Sequence, residues 1–409
     1  RNKGSGLLNA DGFGGSIKAH FEKADSGVPK GELTFVGMTG LSELEGRLSG
    51  VEQKLLMNRL GTFMRAISLE GDSAAQLGAE QFSVLHDAGL DIESAKLQLS
   101  EFAMEADPKG IGVSVTAESA GVDALNVSGE DMAQALLYTI QQVAQESNIG
   151  RSQALSMNIS DRLAKATEHL AEVKTIINTG QFDIAYQPIV GLDDRKVHHF
   201  EALVRLNNSP TKMNPFNFIC FAEDNGMIAT FDMALCRKLI SRMKTFAEGG
   251  KILPIAMNIS GRSIDSDAFV KELRSVIKKT PDLHKSLLFE ITETARISDL
   301  ARANNVIASL RKDGFEVCLD DFGAGQSAFE YLKALDVDFV KIDGQYVVDA
   351  TASDRDKAFL VAMSGLCNDL GIATIAEFIE TEETVKFLKT CKVGFGQGYL
   401  FGKAESTAD

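Results

Sequence analysis

The chain has 409 residues, of which 44% are hydrophobic and 24% charged, with a net charge of −15. That length exceeds one ordinary domain and suits two, and the composition excludes fibrous and intrinsically disordered classes. The acidic balance excludes nucleic-acid polymers and anionic membrane surfaces as general partners, because both need a basic footprint.

The chain begins at Arg1 rather than Met and carries no signal peptide or apolar run of membrane-spanning length. It is expected to be the cytoplasmic part of a longer protein, with room for an upstream sensor or membrane segment. The five cysteines, Cys220, Cys236, Cys318, Cys367 and Cys391, never occur in CxxC spacing. Reduced, mostly buried thiols are expected.

Residues 1–150 mix short strand-like runs with helices. Leu33–Val36 and Gln81–Leu85 read as strands, Val51–Ala66 and Glu130–Val143 as helices. The polar, Gly-terminated stretch Gln145–Gly150 reads as a linker. Leu163, Ala166, Leu170, Val173 and Ile177 then recur at spacings of three and four, one face of a helix that Gly180 would end. Residues 151–180 are thus a linker and a candidate coupling helix, whose stripe could instead pack on its own domain.

From residue 183 strands and helices alternate. Strands are predicted at Asp183–Ile189, Phe200–Arg205, Pro254–Ile259, Leu287–Ile291, Glu316–Asp320, Phe339–Ile342, Thr374–Glu377 and Gly394–Leu400. Helical stretches between them include Asp232–Ala247, Asp299–Lys312 and Asp356–Leu370. Eight such strands match a (βα)8 TIM-like barrel over 181–409, with a doubly wound open sheet as the alternative.

Polar residues recur in these strands and at their C-terminal ends: Glu201, Asn258, Glu290, Asp320, Asp321, Lys341, Glu377 and Gln397. A closed barrel would bring them to one face. Any one alone reads as a helix cap, a turn or a surface residue. One in strand after strand does not. Converging carboxylates repel one another, and divalent cations relieve that repulsion. Carboxylates with an amide oxygen and no His or Cys form a hard set suited to Mg2+ or Mn2+, with enough oxygens for two ions. Two such ions can clamp the attacking and leaving oxygens of a phosphoryl displacement.

The ordered motifs Tyr186-Gln187-Pro188-Ile189, Glu201-Ala202-Leu203, Met257-Asn258-Ile259-Ser260, Glu290-Ile291-Thr292-Glu293, Asp320-Asp321-Phe322-Gly323, Lys341-Ile342-Asp343, Ala376-Glu377 and Gln397-Gly398-Tyr399-Leu400-Phe401 resemble those of the EAL family of cyclic di-GMP phosphodiesterases. The resemblance implies a barrel whose first strand runs antiparallel, hydrolysis of cyclic di-GMP to linear pGpG, and action as a homodimer. It implies that Glu201, Asn258, Glu290 and Asp320 hold one metal, and Asp320, Asp321 and Glu377 a second. Lys341 would orient the nucleophile or neutralise charge, and Glu377 would act as base. Glu293 would anchor the loop after Asp321, while Gln187, Leu203, Arg205 and Gln397 would contact the ligand. The chain departs from the pattern at Leu206–Ser209, at Ala324-Gly325-Gln326 and at Phe378, where the family has Gly. A receptor that binds cyclic di-GMP without hydrolysing it is the alternative.

Gly78-Ala79-Glu80-Gln81-Phe82 sits where a GGDEF hairpin would be, so residues 1–150 resemble a degenerate GGDEF domain, an α+β fold. Gly37 stands where the family has a metal-binding Asp. Leu69 replaces the Arg of its inhibitory site, of which Asp72 is in place. No cyclase activity is expected. GTP sensing, regulation of the barrel and dimerisation remain as roles, with a structural remnant as the alternative.

Overall fold

The computed structural model describes the whole chain except residues 24–30, 122–127, 149–158, 207–208, 284, 293–296, 298, 324–327 and 408–409. Two compact units divide it, Arg1–Glu172 and Val173–Asp409.

In the first unit an antiparallel sheet runs in the order β2-β3-β1-β4. Its strands are β1 (Glu32–Thr39), β2 (Ala74–Gln76), β3 (Gln81–His86) and β4 (Ser114–Gly121). Strand β1 is buried on both faces, so its alternate side chains feed two cores. Leu33 and Phe35 join Phe13 and Ile17 of α1 (Ala10–Lys23), and Met132, Leu136 and Ile140 of α5 (Gly129–Asn148). Val36 and Met38 join Leu56, Leu60 and Met64 of α3 (Gly50–Ile67), and Leu99 of α4 (Ile92–Ala106). A five-residue helix, α2 (Leu41–Glu45), follows β1. Helix α5 runs through Asn148, into the stretch read as linker.

Helix α6 (Ile159–Thr179) carries the predicted apolar stripe, and the division between units falls within it. Its residues Ile159, Leu163 and Ala166 belong to the α1/α5 core. Gly180 follows at φ +65, the left-handed position at which helices commonly end.

In the second unit eight strands close a barrel. They are β5 (Asp183–Gly191), β6 (Val197–Arg205), β7 (Ile255–Ser260), β8 (Leu287–Thr292), β9 (Glu316–Phe322), β10 (Phe339–Ile342), β11 (Ala373–Ala376) and β12 (Phe395–Gln397). Strand β5 is antiparallel to both of its neighbours, β6 and β12. The remaining pairs around the barrel are parallel. The closed barrel with an antiparallel first strand is therefore the architecture, and the open sheet is excluded.

The helices of this unit are α7 (Pro215–Asp224), α8 (Ile228–Glu248), α9 (Gly261–Ile264), α10 (Asp267–Lys278), α11 (Leu300–Lys312), α12 (Ala328–Ala334), α13 (Gly344–Ala352), α14 (Asp354–Asp369) and α15 (Glu382–Thr390). A layer of Ile189, Ala256, Leu288, Cys318, Phe339 and Ile375 fills the barrel. A packed barrel interior of this kind is rigid and leaves one end for chemistry. Of the five cysteines, which are all free, Cys220 is half-buried and the others are buried. Among the described residues no helix is long and apolar enough to cross a membrane.

Candidate active site at the mouth of the barrel

Strand register explains why the predicted residues meet. Gln187 lies opposite Glu201, Asn258 opposite Glu290, and Thr292 opposite Asp320. Lys341 pairs with Ile375, which places Glu377 two residues further along on the same face. The alternation of side chains along each strand then turns Glu201, Glu290, Asp320, Lys341 and Glu377 into the barrel.

Lys341 is the hub. It is 1% exposed, and its Nζ lies 3.1 Å from Glu201 Oε2, 3.3 Å from Glu290 Oε2, 3.1 Å from Asp320 Oδ1 and 3.0 Å from Glu377 Oε1. Glu201 also accepts from Asn258 Nδ2 at 2.8 Å and from Gln397 Nε2 at 2.7 Å. One ammonium serves four carboxylates, and the electrostatics follow from that imbalance. Burial alone would discharge Lys341, but the carboxylates of Asp320, Glu201, Glu290 and Glu377 hold it charged well above the ordinary lysine range. Burial pushes Glu201 up, and Lys341 with the Gln397 and Asn258 amides more than reverses this, so Glu201 stays ionised. Glu290 has too little compensation, and burial holds its carboxyl well above the usual range. Burial likewise raises Asp320, and lifts Glu377 to about 7 and Asp321 to about 6.

Carboxylate oxygens of Glu201, Glu290 and Asp320 all lie within 4.8 Å of one another, and so do those of Asp321, Asp343 and Glu377. Adjacent strand residues normally face opposite sides. Asp321 breaks that rule by taking φ +56, which lets it join the second group while Asp320 joins the first. Among the described residues, no hydrogen-bond donor meets the buried Asn258 Oδ1, Glu290 Oε1 and Gln397 Oε1. Asp320 Oδ1 meets Lys341 without hydrogen-bond geometry. Buried acceptors without donors are costly and usually have a functional reason. A divalent cation would supply positive charge here, and this all-oxygen set fits a hard ion such as Mg2+ or Mn2+.

The remaining predicted residues lie around this centre. Gln187, Leu203 and Arg205 are half-buried on the strands next to it. Gln187 Nε2 donates to Gly402 O at 3.3 Å, and Arg205 Nη1 to Val204 O at 3.0 Å. Gln397 is buried at the centre itself and holds Glu201. Glu293 and the altered loop Ala324–Gln326 lie outside the described residues.

Three features escaped the sequence reading. Asp343 was quoted with Lys341 but given no role. It belongs to the second acidic group and also caps α13 by accepting from Gln345 N at 2.9 Å. Asp232, buried in α8, accepts from Ser260 N at 3.0 Å and Ser263 Oγ at 2.6 Å, which pins the turn after Asn258. Burial raises Asp232 to about 7. A lone acid between Phe231 and Met233 was the available signal. His199, buried beneath the cluster, places Nε2 3.8 Å from Glu290 Oε1. Burial, then the Lys341 charge, push His199 down to about 4, so it is neutral near pH 7.

Fold and site together define a closed barrel with an antiparallel first strand and a lysine-centred acidic cluster at its mouth. The EAL domain family matches residues 170–404, more than half of the chain, and the chain belongs to that family. Cyclic di-GMP phosphodiesterase NbdA of Pseudomonas aeruginosa is 26% identical over 407 residues, covering 98% of this chain and 52% of NbdA. The chain spans about half the length, or less, of the first curated relatives it matches. Among solved structures, the PaMucR phosphodiesterase in complex with c-di-GMP superposes with a TM-score of 0.53 at 26% identity, over 58% of this chain and 97% of that one. Vibrio cholerae LapD, an S helix-GGDEF-EAL chain, matches 98% of this chain and 95% of its own with a TM-score of 0.55 at 16% identity, a likeness of fold.

Proposed function

We propose that the barrel hydrolyses cyclic di-GMP to linear pGpG. The observation that carries the reading is the Lys341 cluster, with its surplus of carboxylates and its buried acceptors without donors. Phosphodiesterase relatives and the c-di-GMP complex of PaMucR support it. Glu201, Asn258, Glu290 and Asp320 would hold one Mg2+ or Mn2+ ion, and Asp321, Glu377 and Asp343, with Asp320 between the groups, a second. Such ions polarise a phosphodiester and stabilise the charge that develops as it is displaced.

The chain's own residues do the rest. Lys341 brings a fixed positive charge to the centre. Glu377, whose Oε1 lies 3.0 Å from Lys341 Nζ, would accept a proton from water. Gln397 and Asn258 fix the Glu201 carboxylate. Arg205, with its planar fork, suits a phosphate oxygen pair, and Gln187 and Leu203 line the same approach.

Residues 1–150 are read as a degenerate GGDEF-like domain that regulates or dimerises the barrel, with GTP as a candidate effector. The β2–β3 hairpin supports this, since Leu77 N and Gly78 N both donate to Gln81 O across Gly78-Ala79-Glu80. Residues 151–180 would link the two domains. Homodimerisation and a cytoplasmic location belong to the same reading.

The test is purified chain with cyclic di-GMP and Mn2+ or Mg2+, products resolved by chromatography, with an EDTA control. Metal-dependent pGpG is the expected outcome. Binding without pGpG would replace the enzyme with a receptor.

A further inference from the structure

The residue after Glu377 is conformationally expensive. Phe378 takes φ +55, a region that costs a side chain with a Cβ and that glycine enters freely. Its two neighbours in the chain are both tied to other strands or loops. Glu377 N donates to Ile342 O at 3.3 Å on one side, and Ile379 N donates to Gln397 O at 3.0 Å on the other. The ring is 65% exposed, so core packing does not explain it. One edge of the ring rests on Gly344, where an added Cβ would fall 1.4 Å from Phe378 Cδ2. Gly344 follows Asp343, and Phe378 follows Glu377, so the ring and the glycine it rests on each follow a member of the second acidic group.

The result is a rigidly presented aromatic face at the rim of the mouth. Scattered exposed apolar residues are ordinary, but one held in a disfavoured conformation beside a reactive centre points to function. A protein surface seated on this ring would cover the mouth. A flat group carried by the substrate would not.

We propose that Phe378 is a specificity-determining residue that stacks on a purine base of the substrate. The inference rests on the cyclic di-GMP reading above. A diester lying across the two acidic groups carries its nucleobases just beyond them, where the ring stands. Base–aromatic stacking needs only a π-face and tolerates either purine, so the ring selects for a base and leaves the reacting bond untouched.

The test compares wild type with F378G, F378N and F378W. Gly and Asn both accept the left-handed backbone, so a folding defect is not expected from either. The probes are cyclic di-GMP, its hydrolysis-resistant phosphorothioate analogue, and bis(p-nitrophenyl) phosphate, a diester with no purine. F378G and F378N should raise KM for cyclic di-GMP about tenfold, equivalent to about 1.4 kcal/mol, and weaken analogue binding by the same factor. Their kcat, and their kcat/KM on bis(p-nitrophenyl) phosphate, should stay within about twofold of wild type. F378W should behave as wild type. Unchanged KM and analogue affinity in F378G and F378N would overturn the inference, as would an equal loss on both diesters. Analogue binding that depends on the ring in a chain that forms no pGpG would sink the hydrolysis and keep the stacking role. No analogue binding by wild type would overturn both.

Discussion

The barrel mouth and the first unit handle buried and half-buried charge in opposite ways. At the barrel mouth four carboxylates share one lysine, and several acceptors have no donor. In the first unit Glu80 sits at the hairpin and accepts from Gly40 N at 3.2 Å and Ser42 N at 3.0 Å, at the start of α2. Asp107 goes further, accepting from Arg47 Nη2 at 2.7 Å and from the backbone of Lys109, Ile111 and Gly112. Acids satisfied within the fold hold loops and helix ends. Acids left unsatisfied within the fold keep capacity for something else.

The sharpest way to break that contrast is to remove one acid from each unit. Glu201→Ala should lower pGpG formation in Mn2+ by roughly a thousandfold or more, the scale of losing a preorganised charged group from a site. Glu80→Ala should leave the barrel's rate within about twofold. Undiminished hydrolysis in Glu201→Ala would end the assignment of the site. A thousandfold loss in Glu80→Ala would show that the hairpin carries chemistry of its own.

Lys341→Met sharpens the energetic half of the comparison. Removing one partner of a buried charge network costs about 3–5 kcal/mol, because the remaining charges are stranded. Urea unfolding of the barrel in EDTA should show that loss. Saturating Mn2+ should restore part of it, since an ion binding only the folded state stabilises by mass action. Equal destabilisation with and without Mn2+ would mean that the acids do not gather an ion.

The units should also respond to pH in opposite directions. Asp232 titrates near 7 when folded, above its ordinary value, so its contribution to stability is complete below about pH 4 and is lost as pH rises through 7. Asp107 is held well below the carboxylate range by Arg47, with backbone amides adding to the effect. Its contribution is present above the ordinary Asp range and is lost as pH falls. Asp232→Asn should therefore flatten the barrel's decline between about pH 4 and 7, by on the order of 4 kcal/mol at most. Asp107→Asn should destabilise the first unit at pH 7 and progressively less toward pH 3. Melting temperatures across that range measure both, and parallel pH profiles for the two variants would refute the contrast.

The same division governs what could be read from the sequence. Barrel strands β5–β12 were legible because buried apolar runs end in polar residues, and Phe339–Ile342 was placed to the residue. The cluster was legible because seven successive strands, β6–β12, repeat one pattern. Strand β4, Ser114-Val-Thr-Ala-Glu-Ser-Ala-Gly121, was not. It is a half-exposed edge strand of weak propensity, made by its register with β1 rather than by its own residues. Asp343 was hidden by its second role as a helix cap, and Asp232 by lying within an apolar helix face. Phe378 was visible as a departure from the family pattern. Its positive φ and its seat on Gly344 are tertiary facts that no local spacing encodes.

The smallest expected effect lies in the first unit, at the start of α3. Ser49 accepts from Glu52 N at 3.4 Å, and Glu52 Oε2 accepts from Ser49 N at 2.8 Å, a reciprocal capping box. Ser49→Ala removes only the first of these bonds, because the second uses the backbone amide and survives. The first is also the longer one. The cost should therefore fall at or below about 1 kcal/mol, the low side of measured cap deletions. A urea midpoint for the first unit detects a change of that size, and pGpG formation should not move. A larger loss would mean that Ser49 supports more than the cap, and a change in hydrolysis rate would mean that α3 communicates with the barrel.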